Sequence, residues 1–162
     1  MREGLLRKLS PYMASGALVI AGLMLGGKDG LEGREHDPYR DVVGVLTVCD
    51  GHTGGDITPG RRYTDKECDA LLNADLRAVA AGVDPYIRSD ISNTQRAAIY
   101  SFAYNVGVTA FRNSTMLKKI NAGDQKGACA ELHRWTYAGG KQWKGLMNRR
   151  AIEHEVCTWG PQ

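Results

Sequence analysis

The apolar positions of this 162-residue chain fall into three regions with different spacing. Pro11 to Gly27 is a run of 17 residues without a charge. Val42 to Val48 is a short β-branched stretch bounded by turn residues, which predicts one or two short hairpins. After Thr64, apolar residues recur every three or four positions, as in helices that bury one face. The pattern predicts an α+β fold, in which an apolar N-terminal segment precedes a small sheet and a larger helical region.

Helix-starting signals divide the helical region into separate elements. Thr64 to Glu67 has the form of a capping box and opens a predicted helix of about 19 residues that ends near Asp84-Pro85. Ser92 to Gln95 has the same form and opens a helix that ends before Gly107. The first of these helices is long enough to join a small β-hairpin lobe to a larger helical lobe. Shorter helices are predicted at 115–121, 125–135 and 144–158, the last with Ile152, Val156 and Trp159 on one stripe.

The N-terminal run allows three interpretations. A cleaved signal peptide needs small residues one and three positions before the cut, which Leu25-Gly26-Gly27 fits poorly. A permanent anchor is normally longer and more apolar than this glycine- and alanine-rich run. A weak, uncleaved signal anchor fits best, with the basic residues Arg2, Arg7 and Lys8 on the cytoplasmic side. All three interpretations place residues 28–162 outside the cytoplasm.

Composition and charge narrow the choice of partners. With 43% hydrophobic and 24% charged residues the chain is an ordinary globular protein, and a net charge of +3 is too small to indicate nucleic-acid binding. The charge is unevenly distributed, since residues 29–90 carry 7 Lys/Arg and 13 Asp/Glu whereas residues 96–162 carry 10 and 4. The basic half suits an anionic polymer such as a cell wall, and solvated helix faces explain it equally well.

The chain contains four cysteines, Cys49, Cys68, Cys129 and Cys157. An oxidising compartment permits two disulfides between them. We favour Cys49–Cys68 and Cys129–Cys157, because near neighbours along the chain would then pair within each lobe; free buried cysteines are the alternative. Their spacing does not match the Cys and His patterns of metal sites, so no metal or organic cofactor is indicated.

Glu32, Asp41 and Thr47 supply three groups that glycoside hydrolysis uses. A carboxylic acid protonates the leaving oxygen, a second carboxylate lies across the sugar, and a hydroxyl holds the attacking water. Asp41 follows Glu32 by nine positions and Thr47 follows Asp41 by six, and the glycines and proline between them let the chain bend around one cleft. A single acidic residue is most often a solvated surface charge, so the prediction depends on the three residues together.

Further motifs follow these residues in a characteristic order. They are Gly51-His52-Thr53, Tyr104-Asn105-Val106-Gly107, Trp135-Thr136-Tyr137 and Gly145-Leu146-Met147-Asn148-Arg149-Arg150. With Glu32-x8-Asp41-x5-Thr47 they resemble the phage-type lysozymes of glycoside hydrolase family 24 over residues 29–160. With the N-terminal run included, the whole chain is similar to the signal-anchor-release endolysins of lambdoid phages. One departure is Val48-Cys49-Asp50, which stands where many relatives have Ile-Gly-aromatic.

The resemblance implies a lysozyme-like fold and a reaction. The family hydrolyses the β-1,4 bond between N-acetylmuramic acid and N-acetylglucosamine in peptidoglycan, with inversion. Glu32 is then the general acid, which must stay protonated near neutral pH, and Asp41 with Thr47 positions the attacking water. Arg149 resembles the family arginine that pairs with the general acid. No cofactor is implied.

The resemblance also suggests roles for neighbouring residues. Tyr104 and Asn105 are candidate sugar contacts, with core packing and helix-end capping as the alternatives. His52 is expected to be a hydrogen-bonded or ion-paired structural histidine rather than a general base. Glu35 and Asp37 lack the motif spacing and are expected to be surface acids. The tryptophans are expected in the core rather than as sugar platforms; they are Trp135, Trp143 and Trp159.

The same resemblance divides the chain into two segments. Residues 1–27 are predicted to be a signal-anchor-release segment and residues 28–162 a lysozyme catalytic domain. The chain is expected to use the host secretion machinery, to lie in the inner membrane facing the periplasm, and to act on peptidoglycan as a monomer once released into the periplasm. The tethered form is expected to be inactive, because Glu32 lies five residues past the apolar run. Two alternatives stay open: a lytic transglycosylase, and a non-catalytic membrane-anchored wall-binding protein.

Overall fold

Helices dominate the computed structural model, which describes residues 2–160. The helices are α1 Arg2–Leu9, α2 Ala17–Leu25, α3 Asp65–Val83, α4 Asn93–Val106, α5 Val108–Arg112, α6 Thr115–Asn121, α7 Gln125–Ala130 and α8 Lys144–Cys157. The strands are β1 Glu35–Arg40, β2 Leu46–Cys49, β3 His52–Thr53, β4 Tyr137–Ala138 and β5 Lys141–Gln142. The predicted segments 1–27 and 28–162 also include Met1, Pro161 and Gln162, which lie outside the described residues.

Helices α3 and α4 begin where the sequence predicts. The Thr64 hydroxyl accepts a hydrogen bond from the Glu67 amide, and the Glu67 carboxylate accepts one from the Thr64 amide, which completes the capping box. The 19 residues of α3 confirm the predicted long helix. At α4 the capping box is half formed, because the side chain of Gln95 donates to Gln125 at 2.6 Å instead of turning back to Ser92.

One of the two short C-terminal helices is shorter than predicted. Helix α6 matches the predicted helix 115–121. The predicted helix 125–135 ends at Ala130 and continues as a 3₁₀ turn, Glu131–Arg134. A 3₁₀ turn tightens the end of a helix, so the chain enters the next loop sooner than the periodicity predicts.

Helix α8 ends at Cys157, one residue earlier than predicted. Ile152 and Val156 are fully buried on its inner face, as the periodicity predicts. Trp159 lies beyond the helix and is 39% exposed, so its predicted place on the buried stripe is wrong. The helical spacing no longer determines where a side chain points once the helix has ended.

The sheet does not begin at the β-branched run. Strands β1, β2 and β3 pair antiparallel in chain order. Val42 and Val43 lie in the turn between β1 and β2, where both are exposed. The Asp41 carboxylate accepts hydrogen bonds from the amides of Val43 and Val45, which holds this stretch as a turn against its β propensity. The prediction of a strand starting at Val42 is therefore wrong for residues 42–45, and β1 is instead a polar strand that precedes them.

The N-terminal segment packs into the helical lobe. Of the uncharged run, Ala17–Leu25 forms α2, which starts after the extended residue Gly16. Its inner face joins one core with residues of α3, α4 and α8. Across residues 2–160, every helix is too short or too polar to cross a membrane. The buried apolar side chains of α1 and α2 are Leu5, Leu9, Ala17, Ile20, Ala21, Met24 and Leu25.

Two disulfides join elements that are separate in sequence. Cys49–Cys68 connects β2 to α3, and Cys129–Cys157 connects α7 to α8. These are the pairings that we favoured from the sequence. Cys49 also has a φ of 60°, a left-handed conformation that glycine adopts most easily. One end of this disulfide is therefore a cysteine in a backbone conformation that favours glycine.

Replacing Cys49 and Cys68 together with serine should lower the free energy of unfolding by about 3 kcal/mol. The disulfide closes a segment of 19 positions and so restricts the unfolded chain. Urea unfolding followed by circular dichroism measures the change. A reducing agent should destabilise the wild-type chain more than this variant, which keeps only Cys129–Cys157. An unchanged unfolding midpoint in the variant would contradict the prediction.

Candidate active site

The position of Glu32 depends on the end of α2. The amide of Leu31 donates to the carbonyl of Met24 at 2.8 Å, and the amide of Glu32 donates to that of Leu25 at 3.4 Å. Gly30 makes this reversal possible, because a β-carbon there would lie 2.2 Å from the Leu25 carbonyl oxygen. The backbone of Glu32 is therefore hydrogen-bonded directly to the end of α2.

The Glu32 carboxyl lies between α8 and the turn that joins β2 to β3. Its Oε1 accepts a hydrogen bond of 2.7 Å from Arg149 Nη1, so the structure places this arginine where the resemblance puts it. Its Oε2 faces Gly51, where a β-carbon would stand 3.0 Å away and where φ is +83°. The Glu32 side chain is 18% exposed. One edge of the carboxyl therefore stays accessible to a substrate oxygen.

Asp41 and Thr47 lie on the β1–β2 hairpin. Asp41 Oδ1 accepts hydrogen bonds from the amides of Val43 at 3.0 Å and Val45 at 2.9 Å. The Thr47 hydroxyl donates to the Val45 carbonyl at 2.9 Å, and the residue is nearly buried. These bonds hold both side chains in place before any substrate is present.

Tyr39 connects the candidate acid with the hairpin. It pairs with Thr47 in the register of β1 and β2. Partial burial, followed by the negative charges of Glu35, Glu32 and Asp41, raises the pKa of Tyr39. The negative charges of Glu32 and Asp41 therefore both reach Tyr39, which pairs with Thr47 across β1 and β2.

An open cleft of about 790 Å³ includes Arg149 in its lining. Val42 and Val43 of the β1–β2 turn line it, as do Trp143 beside the β4–β5 hairpin and Asn105 of α4. Most of the lining is apolar, with few polar groups. This is the usual composition of a site that binds the faces of a ring and fixes its orientation with a few polar atoms.

Trp143 lies at the edge of the cleft and not in the core. Its side chain is half exposed, and its indole nitrogen donates to the Ala138 carbonyl at 3.0 Å. Lys141 Nζ lies 4.8 Å from the centre of the ring. The expectation that Trp143 is a core residue is wrong, because the β4–β5 hairpin carries it to the surface. Trp135, by contrast, packs edge-on against Phe102 in the core.

The two candidate sugar contacts occupy different environments. Asn105 is exposed and lines the cleft, and its Oδ1 accepts a hydrogen bond from Arg150. Tyr104 instead donates its hydroxyl to the carbonyl of Asp50 at 2.7 Å. Burial, and then the charges of Asp75 and Glu32, raises the pKa of Tyr104. Asn105 is therefore available to a substrate, whereas Tyr104 supports the turn that faces the candidate acid.

An ion pair that the sequence analysis did not predict holds the same turn. Asp50 is 1% exposed, and its carboxylate accepts a 2.7 Å bond from Arg34 Nη2 and a 3.2 Å bond from the Gly27 amide. Arg34 also donates to Asp69 at 2.7 Å. Asp50 therefore connects the residues after α2 with the turn beside Glu32. The signal in the sequence is Asp50 in the segment Val48-Cys49-Asp50, which departs from the family pattern that the resemblance implies.

His52 lies between two carboxylates. Its Nδ1 is 2.8 Å from Asp75 Oδ2 and its Nε2 is 3.0 Å from Asp56 Oδ1. The residue is 9% exposed and joins β3 to α3. Because both ring nitrogens face carboxylates, neither is available to take a proton from substrate. The surroundings are those of an ion-paired structural histidine.

The pH dependence of thermal stability should show the contribution of the ion pairs of His52. Burial by itself lowers the pKa of His52, but the bonds to Asp56 and Asp75 outweigh it, and the pKa is raised above 6.5. A raised folded-state value adds stability that is complete below the unfolded value and is lost as pH rises through the folded value. Thermal unfolding midpoints should therefore fall above about pH 6.5 in the wild type and fall less in His52→Gln. Equal slopes in both proteins would contradict this.

The remaining acids of the Glu32 loop lie on the surface. Glu35 and Asp37 are exposed, and Asp37 accepts a 2.7 Å bond from Arg62. Within residues 2–160, no three His, Cys, Asp or Glu side chains are grouped so that they would hold a metal ion.

Solved structures show the same architecture. The active form of the P1 phage endolysin Lyz aligns with a TM-score of 0.77 and 25% sequence identity, covering 97% of this chain and 93% of that one. The muramidase domain of SpmX from Asticaccaulis excentricus aligns with a TM-score of 0.77 and 27% identity, covering 91% and 98%. The lysozyme-like α+β fold predicted from the sequence is confirmed.

Sequence relatives extend over the whole chain. The SAR-endolysin of Bacteriophage PS119 is 58% identical over 100% of this chain and 99% of its own length. The SAR-endolysin of Enterobacteria phage P21 is 56% identical over 100% of both chains. The phage lysozyme family profile matches residues 29–153, which include Glu32, Asp41, Thr47 and Arg149. The chain belongs to the phage lysozyme family.

Proposed function

We propose that this chain is an endolysin that hydrolyses the β-1,4 bond between N-acetylmuramic acid and N-acetylglucosamine in bacterial peptidoglycan. The observation that carries the proposal is the Glu32 carboxyl, held at 2.7 Å by Arg149 next to an open cleft. Membership of the phage lysozyme family supports the reaction class. The SAR-endolysin relatives and the muramidase domain support peptidoglycan as the substrate.

Glu32 acts as the general acid. Its carboxyl is largely enclosed with one edge open, so it transfers a proton to the glycosidic oxygen as the bond to that oxygen breaks. Arg149 already donates to Oε1 and therefore stabilises the carboxylate that remains after the transfer. Asn105, exposed in the cleft, offers a hydrogen bond to the sugar.

Asp41 and Thr47 hold the attacking water on the opposite face of the sugar. The two turn amides that donate to Asp41 Oδ1 fix the orientation of its carboxylate. The water attacks the anomeric carbon while Glu32 protonates the leaving oxygen, so the configuration inverts. An inverting enzyme leaves room for this water, and we expect the two carboxyl groups to stand about 6.5–9.5 Å apart in the substrate complex.

The mass of the released sugars tests the reaction. The full chain is incubated with purified peptidoglycan, and the fragments are analysed by mass spectrometry. A hydrolase leaves a hydrated reducing N-acetylmuramic acid. A lytic transglycosylase leaves an anhydro sugar that is lighter by one water, and this product would remove the assigned roles of Asp41 and Thr47. A chain that sediments with peptidoglycan but releases no sugar would be a wall-binding protein.

Residues 1–27 form the signal-anchor-release segment of this proposal, and residues 28–162 the catalytic domain. The segment enters the inner membrane through the host secretion machinery with the enzyme facing the periplasm, and the released chain acts in the periplasm as a monomer. The SAR-endolysin relatives support this, as do the bonds from Leu31 and Glu32 to the end of α2. While α2 stays in a bilayer it cannot pack into the core of the helical lobe, so Glu32, which follows it, is kept from its working position and the tethered enzyme is inactive.

A comparison of two states tests this control. The chain is tethered in energised vesicles with peptidoglycan outside, and the membrane potential is then collapsed. Hydrolysis is expected only after the chain has left the vesicles, as followed by sedimentation. If the tethered chain cleaved peptidoglycan as fast as the released chain, the proposed control would be wrong while the proposed reaction would stand.

A further inference from the structure

A row of buried charges continues from Glu32 into the helical lobe. Arg149, Arg150 and Glu153 of α8 are 6%, 1% and 0% exposed. Charges this deeply buried are screened little by solvent, so each acts on its neighbours more strongly than a surface charge does. Arg149 touches Glu32 directly, and the other two act on the acid from behind it.

Arg149 is held by three acceptors on three sides. Nη1 donates to Glu32 Oε1 at 2.7 Å, Nη2 donates to the Ser101 carbonyl at 2.9 Å, and Nε donates to Glu153 Oε2 at 3.3 Å. The guanidinium is planar, so two of these contacts determine the direction of the third. Ser101 and Glu153 therefore aim the donor that binds the general acid.

Glu153 binds both arginines at once. Its Oε1 accepts a 2.6 Å bond from Arg150 Nη1, and its Oε2 accepts from Arg149 Nε and from the Ser101 hydroxyl, the latter at 2.5 Å. Arginine offers donors and no acceptors, so Glu153 is the acceptor in its bonds with both arginines. Arg150 continues to the cleft through its bond to Asn105.

The three groups carry a net charge of +1 behind Glu32, from two guanidinium groups and one carboxylate. Without the charge of Glu153 the net charge would be +2, and Glu32 would lose its proton at a lower pH. Without Arg150 it would be zero, and Glu32 would keep its proton to a higher pH. Titratable groups of other elements also interact with Glu32, among them Tyr104 of α4 and Tyr39 of β1, whose pKa values the charge of Glu32 helps to raise; Asp50 and Asp75 act on the same Tyr104.

We propose that Glu153 is a positioning residue that sets the pH range of the reaction by balancing one of the two positive charges behind Glu32. It acts through Arg149 and touches neither the substrate nor the reacting atoms. The proposal rests on the proposed function, in which Glu32 must be protonated to act. Activity is lost toward alkaline pH as the acid ionises. The pH at which this alkaline limb falls therefore depends on the net charge behind Glu32.

Three variants of the full chain test the balance: Glu153→Gln, Arg150→Met and the two combined. Initial rates of reducing-end release from purified peptidoglycan are measured across the pH range in which each protein is folded. With Glu153→Gln the alkaline limb should move to lower pH by about one unit, which lowers activity on that limb by up to roughly tenfold. With Arg150→Met the limb should move to higher pH. The double variant restores a net charge of +1 and should return the limb toward its wild-type position.

A purely structural role predicts lost stability with the limb unmoved. Glu131→Gln is the matched control, because Glu131 is 6% exposed and pairs with Lys119 and Arg134 on another part of the helical lobe. It should lower thermal stability and leave the limb in place. Opposite displacements in Glu153→Gln and Arg150→Met support the proposal. A limb that stays in place in both, or moves the same way in both, overturns it.

The same measurements separate a wrong reaction from a wrong role of Glu153. If the wild-type chain releases no reducing ends, the proposed function is wrong and the role of Glu153 falls with it. If the wild-type chain is active and the limb of Glu153→Gln coincides with it, only the role of Glu153 is wrong. If Glu153→Gln does not fold, the proposal is tested with Arg150→Met alone. A shift of its alkaline limb to higher pH supports the proposed charge balance, and an unmoved limb overturns it.

Discussion

Replacing Glu32 with glutamine should lower the rate of peptidoglycan hydrolysis by about three orders of magnitude. The amide keeps the size of the side chain and can still accept the hydrogen bond from Arg149, but it has no acidic proton to give to the leaving oxygen. Release of reducing ends from purified peptidoglycan measures the rate. Circular dichroism and the thermal midpoint show whether the variant remains folded.

Glu35→Gln is the matched control for this change. Glu35 lies three positions further along the chain, where it begins β1 and is exposed. The Glu35→Gln variant should hydrolyse peptidoglycan at close to the wild-type rate. Glu32→Gln should still sediment with peptidoglycan, which separates binding from catalysis. Equal activity in Glu32→Gln and the wild type would contradict the role of general acid, and an equal loss in both variants would mean that the loop as a whole, rather than one carboxyl, is needed.

Replacing Ile20 with aspartate should lower the free energy of unfolding by about 3–5 kcal/mol. Ile20 is fully buried on the inner face of α2, in the core shared with α3, α4 and α8. A carboxylate there would lie in an apolar cluster away from water, so α2 leaves the core or the chain unfolds. Activity should fall as well, because the backbone of Glu32 is bonded to the end of this helix. Urea unfolding of the purified soluble protein measures the stability.

Val19→Asp introduces the same charge one residue earlier on the same helix. Val19 is 52% exposed, so its carboxylate stays in water and the free energy of unfolding should change by less than about 0.5 kcal/mol. Comparing Ile20→Asp with Val19→Asp therefore tests which face of α2 is packed, because both variants add the same charge to the same apolar helix. Equal destabilisation by both substitutions would mean that α2 does not use this face in solution.

Local signals were sufficient to place the starts of α3 and α4. The capping box at Thr64 and Glu67 joins residues three positions apart, so its form is visible in the sequence and it appears unchanged in the structure. The half-formed box at Ser92 shows the limit. There the glutamine three positions later finds a partner in Gln125, 30 positions away, and a distant contact replaces the local one.

Tertiary contacts also overrode local preference around the cleft. The β-branched residues Val42 and Val43 favour a strand, but the Asp41 carboxylate and the pairing of β1 with β2 make them an exposed turn. Trp143 would be buried on composition alone, yet the short β4–β5 hairpin carries it to the cleft. For the two valines, the turn contacts outweigh a strand preference of less than about 1 kcal/mol per residue.

By itself, the sequence determined the α+β class, the long helix and the family, and it supplied the candidate reacting groups, because these depend on periodicity and on spacing along the chain. Only the tertiary structure decided that α2 lies in the core, that Asp50 joins Arg34 to Gly27, and that Glu153 stands between two arginines. Arg149 and Glu32 are 117 positions apart. Contacts of this kind form because the whole chain buries its apolar surface at once, and no local stretch of residues specifies them.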